Sequence, residues 1–416
     1  MGRWRCFPAF GVLLVVLVAP FILLGCSSGA KPTAKARPTT LSVTPTGPMT
    51  LPQAVEALAS GGTIKLAQGT YSLEKPLAIA KSLTLVGAGL KTTEIQCSAP
   101  GEVVEFGPDG HFIVEGITFR HTGVAKADTV RVSGGEVDFS HCQFSGAVGN
   151  SHWWSSGIWA KGSITGSVRN CVLSDNDVGI GLSGTANVMV EQNTCTSNKG
   201  AGITFDAQAA GIARDNLCNN NGFYGIAVGD SAHPAIDSNL AHGNRYGLYY
   251  VGHSSGIAEQ NKFTSNSIDG IAIAGSAHPK IESNTCARND DGGISVVGTA
   301  RPGIFNNFAD HNKGVGIGAW GHAKGVIAGN HCYYDGTSNE GGICIGGHAK
   351  PLVRDNDCEY NKSYGILYRD QAGGTCRGNF CSDNKYGILI NMQAYPTLKG
   401  NDCEWNSVQD TETYRG

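Results

Sequence analysis

A glycine followed by isoleucine or leucine returns through most of this chain at an almost constant interval. The glycines stand at 157, 179, 202, 225, 247, 270, 293, 316, 342, 365 and 387, so the steps are 22, 23, 23, 22, 23, 23, 23, 26, 23 and 22. A period near 23 residues held over ten intervals restricts the chain to a solenoid, because one such repeat cannot bury a core alone and must stack on its neighbours. The repeat also accounts for the composition. Glycine makes up 59 of 416 residues, about twice the ~7% of ordinary domains. Hydrophobic residues still reach 41%, too many for a disordered glycine-rich chain.

Positions counted from that glycine form columns. Three places on stand Leu182, Phe205, Val228, Tyr250, Ile273, Val296, Ala319, Ile345, Tyr368 and Ile390. With Ile or Leu one place on and small or polar residues between, this is a strand with one buried face. Ala recurs seven places on, and eleven places on Val190, Ile236, Ile281, Ile304, Ile327, Val353 and Leu398 make a second inward column. Fourteen places on, the residue is Asn from the second repeat onward, Asn193 through Asn401. An unbroken polar column must satisfy itself, and stacked Asn side chains can do so along a cross-β ladder. Three short strands per repeat and no helical period predict an all-β chain, a parallel β-helix with coils stacked at the ~4.8 Å strand spacing.

The consensus Gly-Ile-x-hydrophobic-x-Gly-x-Ala-x-Pro-x-Ile-x-x-Asn-x-Cys-x-x-Asn, well represented at Asp269–Asn289, resembles the right-handed parallel β-helix repeats of the pectin-lyase-like superfamily. The resemblance covers about residues 50–410 and implies a single-stranded right-handed solenoid. It implies little chemistry, because that superfamily includes lyases, hydrolases, epimerases, tailspikes and non-catalytic proteins. Thr50-Leu51-Pro52-Gln53 has the form of a helix start with a capping box, continued by Ala54 to Ala59. It resembles the short N-terminal cap of such β-helices, which covers the open end of the bore. One β-helix domain is expected over 49–410, with a C-terminal tail at 411–416.

Residues 1–26 have the form of an export signal: Arg3 and Arg5, an apolar run from Phe7 to Leu24, then Gly25-Cys26. Leu23-Leu24-Gly25-Cys26 resembles the bacterial lipobox, which implies lipidation at Cys26 and a membrane anchor in the cell envelope. The other reading is a plain anchor helix, for which ~18 apolar residues just suffice. Residues 27–48 alternate Pro, Thr, Ala, Lys and Ser, and are expected to be a disordered tether.

Fourteen cysteines in an exported chain would ordinarily suggest disulfides, but their spacing suggests packing. Sixteen places after the glycine stand Cys195, Cys218, Cys286, Cys332, Cys358, Cys381 and Cys403, with Ala241, Phe263 and Ala309 in the same column. Exchange with Ala and Phe suits a buried thiol, which packs as a small hydrophobe. Disulfides and metal binding are the alternatives.

Ligand chemistry must lie on outward columns. At six and eight places after the glycine stand His233, His253, His278, Arg301, His322, Lys324, His348 and Lys350. These form a cationic stripe on a chain of formal charge −3. Such a stripe is either a solvated turn or a strip for a polyanion laid along the axis. His322 and His348, in one column of adjacent coils, could share an ion, but no third ligand is apparent and no metal site is assigned. Trp159 and Tyr249 fall two places after the glycine and Trp320 four, with Trp153 and Trp154 in the preceding turn. Exposed rings there suit either sugar stacking or packing between turns.

For catalysis, Asp206 and Asp230 are the best carboxylate pair, at four and five places in adjacent coils, near the ~5 Å separation of a retaining glycosidase. Arg369 and Asp370 suggest a surface ion pair. The calcium-binding acidic cluster of pectate lyases, the catalytic set of polygalacturonases and the Asp-Pro-His-Asp motif of alginate epimerases are absent.

The leading expectation is a lipid-anchored envelope protein that binds an extended polysaccharide along its outer face, with no cofactor and no nucleic-acid partner. A polysaccharide lyase or hydrolase is the first alternative. The second is a periplasmic accessory protein resembling the copper-site maturation factors built on the same repeats.

Overall fold

The computed structural model describes residues 36–149, 155–337, 339–391 and 393–414. Each repeat folds into three short strands separated by corners, and every strand pairs in parallel with its counterpart one coil away. The result is three sheets of 16, 15 and 15 strands. The first sheet begins at Thr40–Val43, the second at Leu77–Ile79 and the third at Gly69–Leu73. The Gly-Ile strands, such as Tyr224–Val228 and Tyr246–Tyr250, form the second sheet. The column eleven places on falls in the first sheet and the Cys column in the third, as in Ile236↔Ala258 and Cys358↔Cys381.

The bore is filled by the inward columns: Ile203, Ile226, Leu248, Phe205, Val228, Tyr250, Ile236, Ile281, Ala232 and Ala277 are all fully buried. Leu398 departs from its column, being 36% exposed, because Thr397–Lys399 is the outermost strand of the first sheet and no further coil covers it. The cysteines from Cys97 to Cys381 are buried and free, and Cys403 is half-buried. Burial pushes the Cys286 and Cys358 thiols well above the ordinary range.

From Gln192 onward, two corners of each coil turn on a left-handed residue followed by Asn, with Asp335 in the Asn place after Tyr334. Gln192, Asp215, Ser238, Gln260 and Ser283 have φ of 54–55°, a conformation costing an L-residue about 1–2 kcal/mol. The Asn after each one offsets that cost. Asn261 Oδ1 accepts from the backbone N–H (2.8 Å) and side chain (2.9 Å) of Asn239, and its Nδ2 donates to Ile236 O at 2.8 Å and to Asn284 Oδ1 at 2.9 Å. The predicted ladder thus satisfies every corner it passes. A second ladder, five residues further on in each coil, runs through Asn198, Asn221, Asn244, Asn266, Asn289 and Asn312, then Asp335, Asn361 and Asn384.

The N-terminal cap is the helix Leu51–Ala57. Thr50 Oγ1 accepts from Gln53 N, and Gln53 Oε1 accepts from Thr50 N at 2.9 Å. Leu51, Ala54, Val55 and Leu58 bury against the bore. The expected tether needs correction at its end: Thr40–Val43 is a strand, in register with Thr63–Leu66. Its alternation buries Val43, whose carbonyl accepts from the Tyr71 hydroxyl at 2.8 Å. The expected tail at 411–416 is likewise corrected, since Gln409–Tyr414 pairs with Tyr386–Asn391. In both places an exposed sheet edge offers unpaired N–H and C=O groups, and neighbouring chain satisfies them by adding a strand. Cys26, the signal segment and residues 27–35 of the tether lie outside the described residues, as do Trp153 and Trp154. Among the described residues, no helix is long and apolar enough to cross a membrane.

Candidate functional site

The outer face of the second sheet, with the corner that follows it, carries the sequence-selected residues. The register runs Trp159↔Gly181↔Thr204↔Ala227↔Tyr249↔Ala272↔Ser295↔Gly318↔Cys344 along one outward column. Three groups of rings stand along it. Trp159 lies on Gly181, where a Cβ would come within 2.5 Å of the indole. Glycine is required there because the ring occupies the side-chain space.

In the middle group, Tyr249 stacks on Tyr224 at 4.9 Å between centroids, and Tyr246 lies 5.8 Å from Tyr224 and 5.5 Å from Tyr249. All three are half-buried. Tyr224 and Tyr246 stand immediately before the repeat glycine, a column that sequence reasoning passed over although the Tyr-Gly pairs recur at the repeat interval. Beside them, Asp206 Oδ1 covers Gly229. Burial, reinforced by the Asp230 charge and opposed by a hydrogen bond from Thr204, raises the Asp206 carboxyl to about 6. Burial also raises Asp269, two coils beyond Tyr224, to about 6, although its Oδ1 accepts from Gly292 N at 2.8 Å.

Asp230 is differently employed. It has φ 49° in the column where Gly252, Gly275, Gly298 and Gly321 also take positive φ, and its Oδ2 accepts from Ala207 N at 3.1 Å. The two aspartates are brought together, but Asp230 is tied to the corner while Asp206 carries the shifted carboxyl.

In the third group, the Trp320 ring lies over Gly318, where a Cβ would come within 1.8 Å of it. It packs on an outer apolar cluster of Val315, Cys344, Tyr364 and Leu367. Next to it opens a groove of ≈ 800 Å³ lined by His348, Arg369, Asp370, Leu389 and Asn391, among others. Arg369 and Asp370 do not form the expected surface ion pair. Asp370 Oδ2 accepts from Gly347 N at 2.9 Å, repeating the corner role of Asp230, and Arg369 Nε is buried without a partner.

The cationic stripe follows the corner beside this column. His233, His253, His278, Arg301, His322, Lys324, His348 and Lys350 are all exposed. The His322 and His348 rings lie 5.0 Å apart, and Lys350 Nζ sits 5.1 Å from the Tyr395 ring centroid. The one group of three metal-capable side chains among the described residues lies elsewhere, on the first sheet: His111, Glu136 and Asp138. There Nε2 of His111 is 3.1 Å from Asp138 and Nδ1 is 3.9 Å from Glu136, so the imidazole bridges two carboxylates. Arg169 lies 3.8 Å from the same Asp138. The described thiols face the bore or the outer apolar cluster, apart from the exposed histidines of the stripe.

The family described as right handed beta helix region matches residues 102–258, 209–332 and 317–411. Solved structures share the architecture at low identity. Two point mutants of the periplasmic alginate epimerase AlgG are 14% and 15% identical, with TM-scores of 0.55 and 0.54, and each match covers 82% of this chain and 84% of the other. The catalytic unit of a thermostable α-1,3-glucanase from Streptomyces thermodiastaticus strain HF3-3 is 18% identical, covering 92% of this chain and 71% of its own, with a TM-score of 0.48. No curated protein matches the sequence.

Proposed function

The chain belongs to the right-handed β-helix family, and on that scaffold we propose that it binds an extended polysaccharide along the outer face of the second sheet. The observation that carries this reading is the single column of ring platforms. Trp159, Tyr249 and the Gly318 site covered by Trp320 stand four and three coils apart along one register. At the strand spacing that is ~19 and ~14 Å, so a stiff polymer parallel to the axis would meet each platform in turn. Aromatic faces with polar surroundings suit sugar rings, and the exposed cations Arg301, Lys324 and Lys350, interleaved with His278, His322 and His348, favour an acidic polymer. AlgG, a neighbour of the same fold, is an alginate epimerase, which fits this ligand class.

The test is affinity electrophoresis or a glycan array with Trp320→Ala and Tyr249→Ala. Each variant should lose about tenfold or more in affinity while staying folded. Unchanged binding by both would reject the track.

A second reading, polysaccharide cleavage, is favoured by Asp206 alone, whose carboxyl at about 6 suits a general acid near neutral pH. Reducing-end and unsaturated-product assays, with Asp206→Asn as control, separate it from binding. Attachment to the envelope through a lipid on Cys26 completes the proposal. Cys26→Ser should abolish palmitate labelling and maturation, and normal processing of that variant would remove this part alone.

A further inference from the structure

Away from the track, a trough of ≈ 750 Å³ lies on the outer face of the third sheet. Its floor is the paired strands Thr93–Cys97, Thr118–His121 and Gln143–Ser145. Register sets Glu94, Thr118 and Gln143 in one row across it and Gln96, Arg120 and Ser145 in the next. The turn at Leu90 and Lys91 closes one end of these strands, and Thr122, Gly123, Gly146 and Val148 close the other. That second wall is held by an antiparallel bridge between Ala127 and Val148, a departure from the parallel repeat.

At several places on the surface, charged side chains of neighbouring coils pair with one another. Arg131 lies 2.6 Å from Glu102, Lys313 lies 2.7 Å from Asp290, and Arg214 bonds Glu191. In the trough they do not. Lys91, Glu94, Arg120 and Gln143 line it without a side-chain hydrogen bond or ion pair among the described residues. In the wall, His121 is 3% exposed, its Nε2 lies 3.3 Å from Ala99 O, and its Nδ1 has no partner. Two cations and two carboxylates, Glu94 and Asp175, held in one hollow rather than relaxed into ion pairs, match a ligand that brings an anionic group and hydroxyls together. A guanidinium fork and an ammonium suit an oxyanion, while a carboxylate and an amide accept hydroxyl protons.

We propose that this trough binds a small hydroxylated oxyanion, either a sugar acid or a polyol phosphate. Its anionic group sits on Arg120 and Lys91, and its hydroxyls on Glu94, Gln143 and Asp175 at the far rim. The site lies on a different sheet from the polysaccharide track and does not depend on it.

Isothermal titration of the full chain with glucuronate, glycerol phosphate and, as neutral control, glucose tests this, and the anion that binds identifies the oxyanion source. At least one anionic compound should bind and glucose should not. Arg120→Gln and Lys91→Gln should each weaken binding by about tenfold to hundredfold with an unchanged melting temperature, and Trp320→Ala should leave it as it was. The proposal is overturned if neither anion binds, if glucose binds equally well, or if Arg120→Gln binds as wild type. Loss of binding in Trp320→Ala would move the ligand to the track and equally reject the trough.

Discussion

Asp335 occupies an asparagine's place. Its Oδ1 accepts from Asn312 N at 2.8 Å and Asn312 Nδ2 at 2.9 Å, and its own N–H donates to Asn361 Oδ1, as ladder neighbours do. Its Oδ2 stands where an amide would donate, and it is buried without a partner. Burial raises this carboxyl well above the ordinary range, against the hydrogen bonds from Asn312. A group raised in the folded state contributes fully below its unfolded pKa and loses that contribution as pH rises towards the folded value. Asp335→Asn should therefore stabilise the chain at neutral pH by about 1–3 kcal/mol, with the gain shrinking towards about pH 4. Denaturant titrations at two pH values measure this, and a less stable variant at pH 7 would contradict the ladder reading of Asp335. Asp206 follows the same sign. Its stabilising contribution is complete near pH 4 and lost as pH rises through about 6. Asp206→Asn should flatten that part of the melting-temperature profile, and a profile identical to wild type would mean that Asp206 is not shifted.

At the scale of the element, each coil is held by its corners as much as by its strands. Asn261 satisfies two groups of Asn239 and the carbonyls of Ile236 and Glu259. Asn261→Ala would orphan several buried polar groups at once and should cost about 3 kcal/mol or more. Asn261→Asp should also destabilise, because a carboxylate cannot donate to Asn284 Oδ1. A loss below about 1 kcal/mol in urea denaturation would show that the ladder is dispensable. The cap helix makes a smaller contribution. Thr50→Ala removes one half of the capping box and should cost about 1 kcal/mol, visible as earlier hydrogen exchange in Leu51–Ala57. Both ladders are spelled out in the repeat. The first was legible because its column never varies, whereas the second is broken by Asp335 and its self-satisfaction appears only once the coils are stacked.

Across the whole molecule, the bore shields the cysteines and the outer surface presents the charges. Native protein should resist thiol reagents, while unfolded protein should react at its described cysteines without prior reduction, because the thiolate is the reactive form and burial suppresses it. Modification that needs a reductant first would replace packing by disulfides. Replacing His322, Lys324, His348 and Lys350 by Ser should change stability by only about ±0.5 kcal/mol per substitution, since all four are exposed. Binding of an acidic polymer should fall, and wild-type binding should weaken with salt as charges are screened. Equal affinity of the fourfold variant at low salt would make the stripe plain solvated surface and leave the ring platforms to carry binding. The sequence by itself determined the architecture: a short apolar period at fixed spacing can be buried only by stacking, so columns in the sequence become columns in the bore. It also marked Trp159, Tyr249 and Trp320 as outward, through the alternation of a strand. Only the tertiary structure decided what those outward positions meet, because that depends on corners and on neighbours a full coil away. It tied Asp230 and Asp370 to backbone N–H groups, left Asp206 half-buried with a raised carboxyl, set Tyr224 and Tyr246 against Tyr249, and raised the irregular walls around Arg120. Outward side chains answer to solvent and to local loops rather than to the repeat, and periodicity carries no record of either.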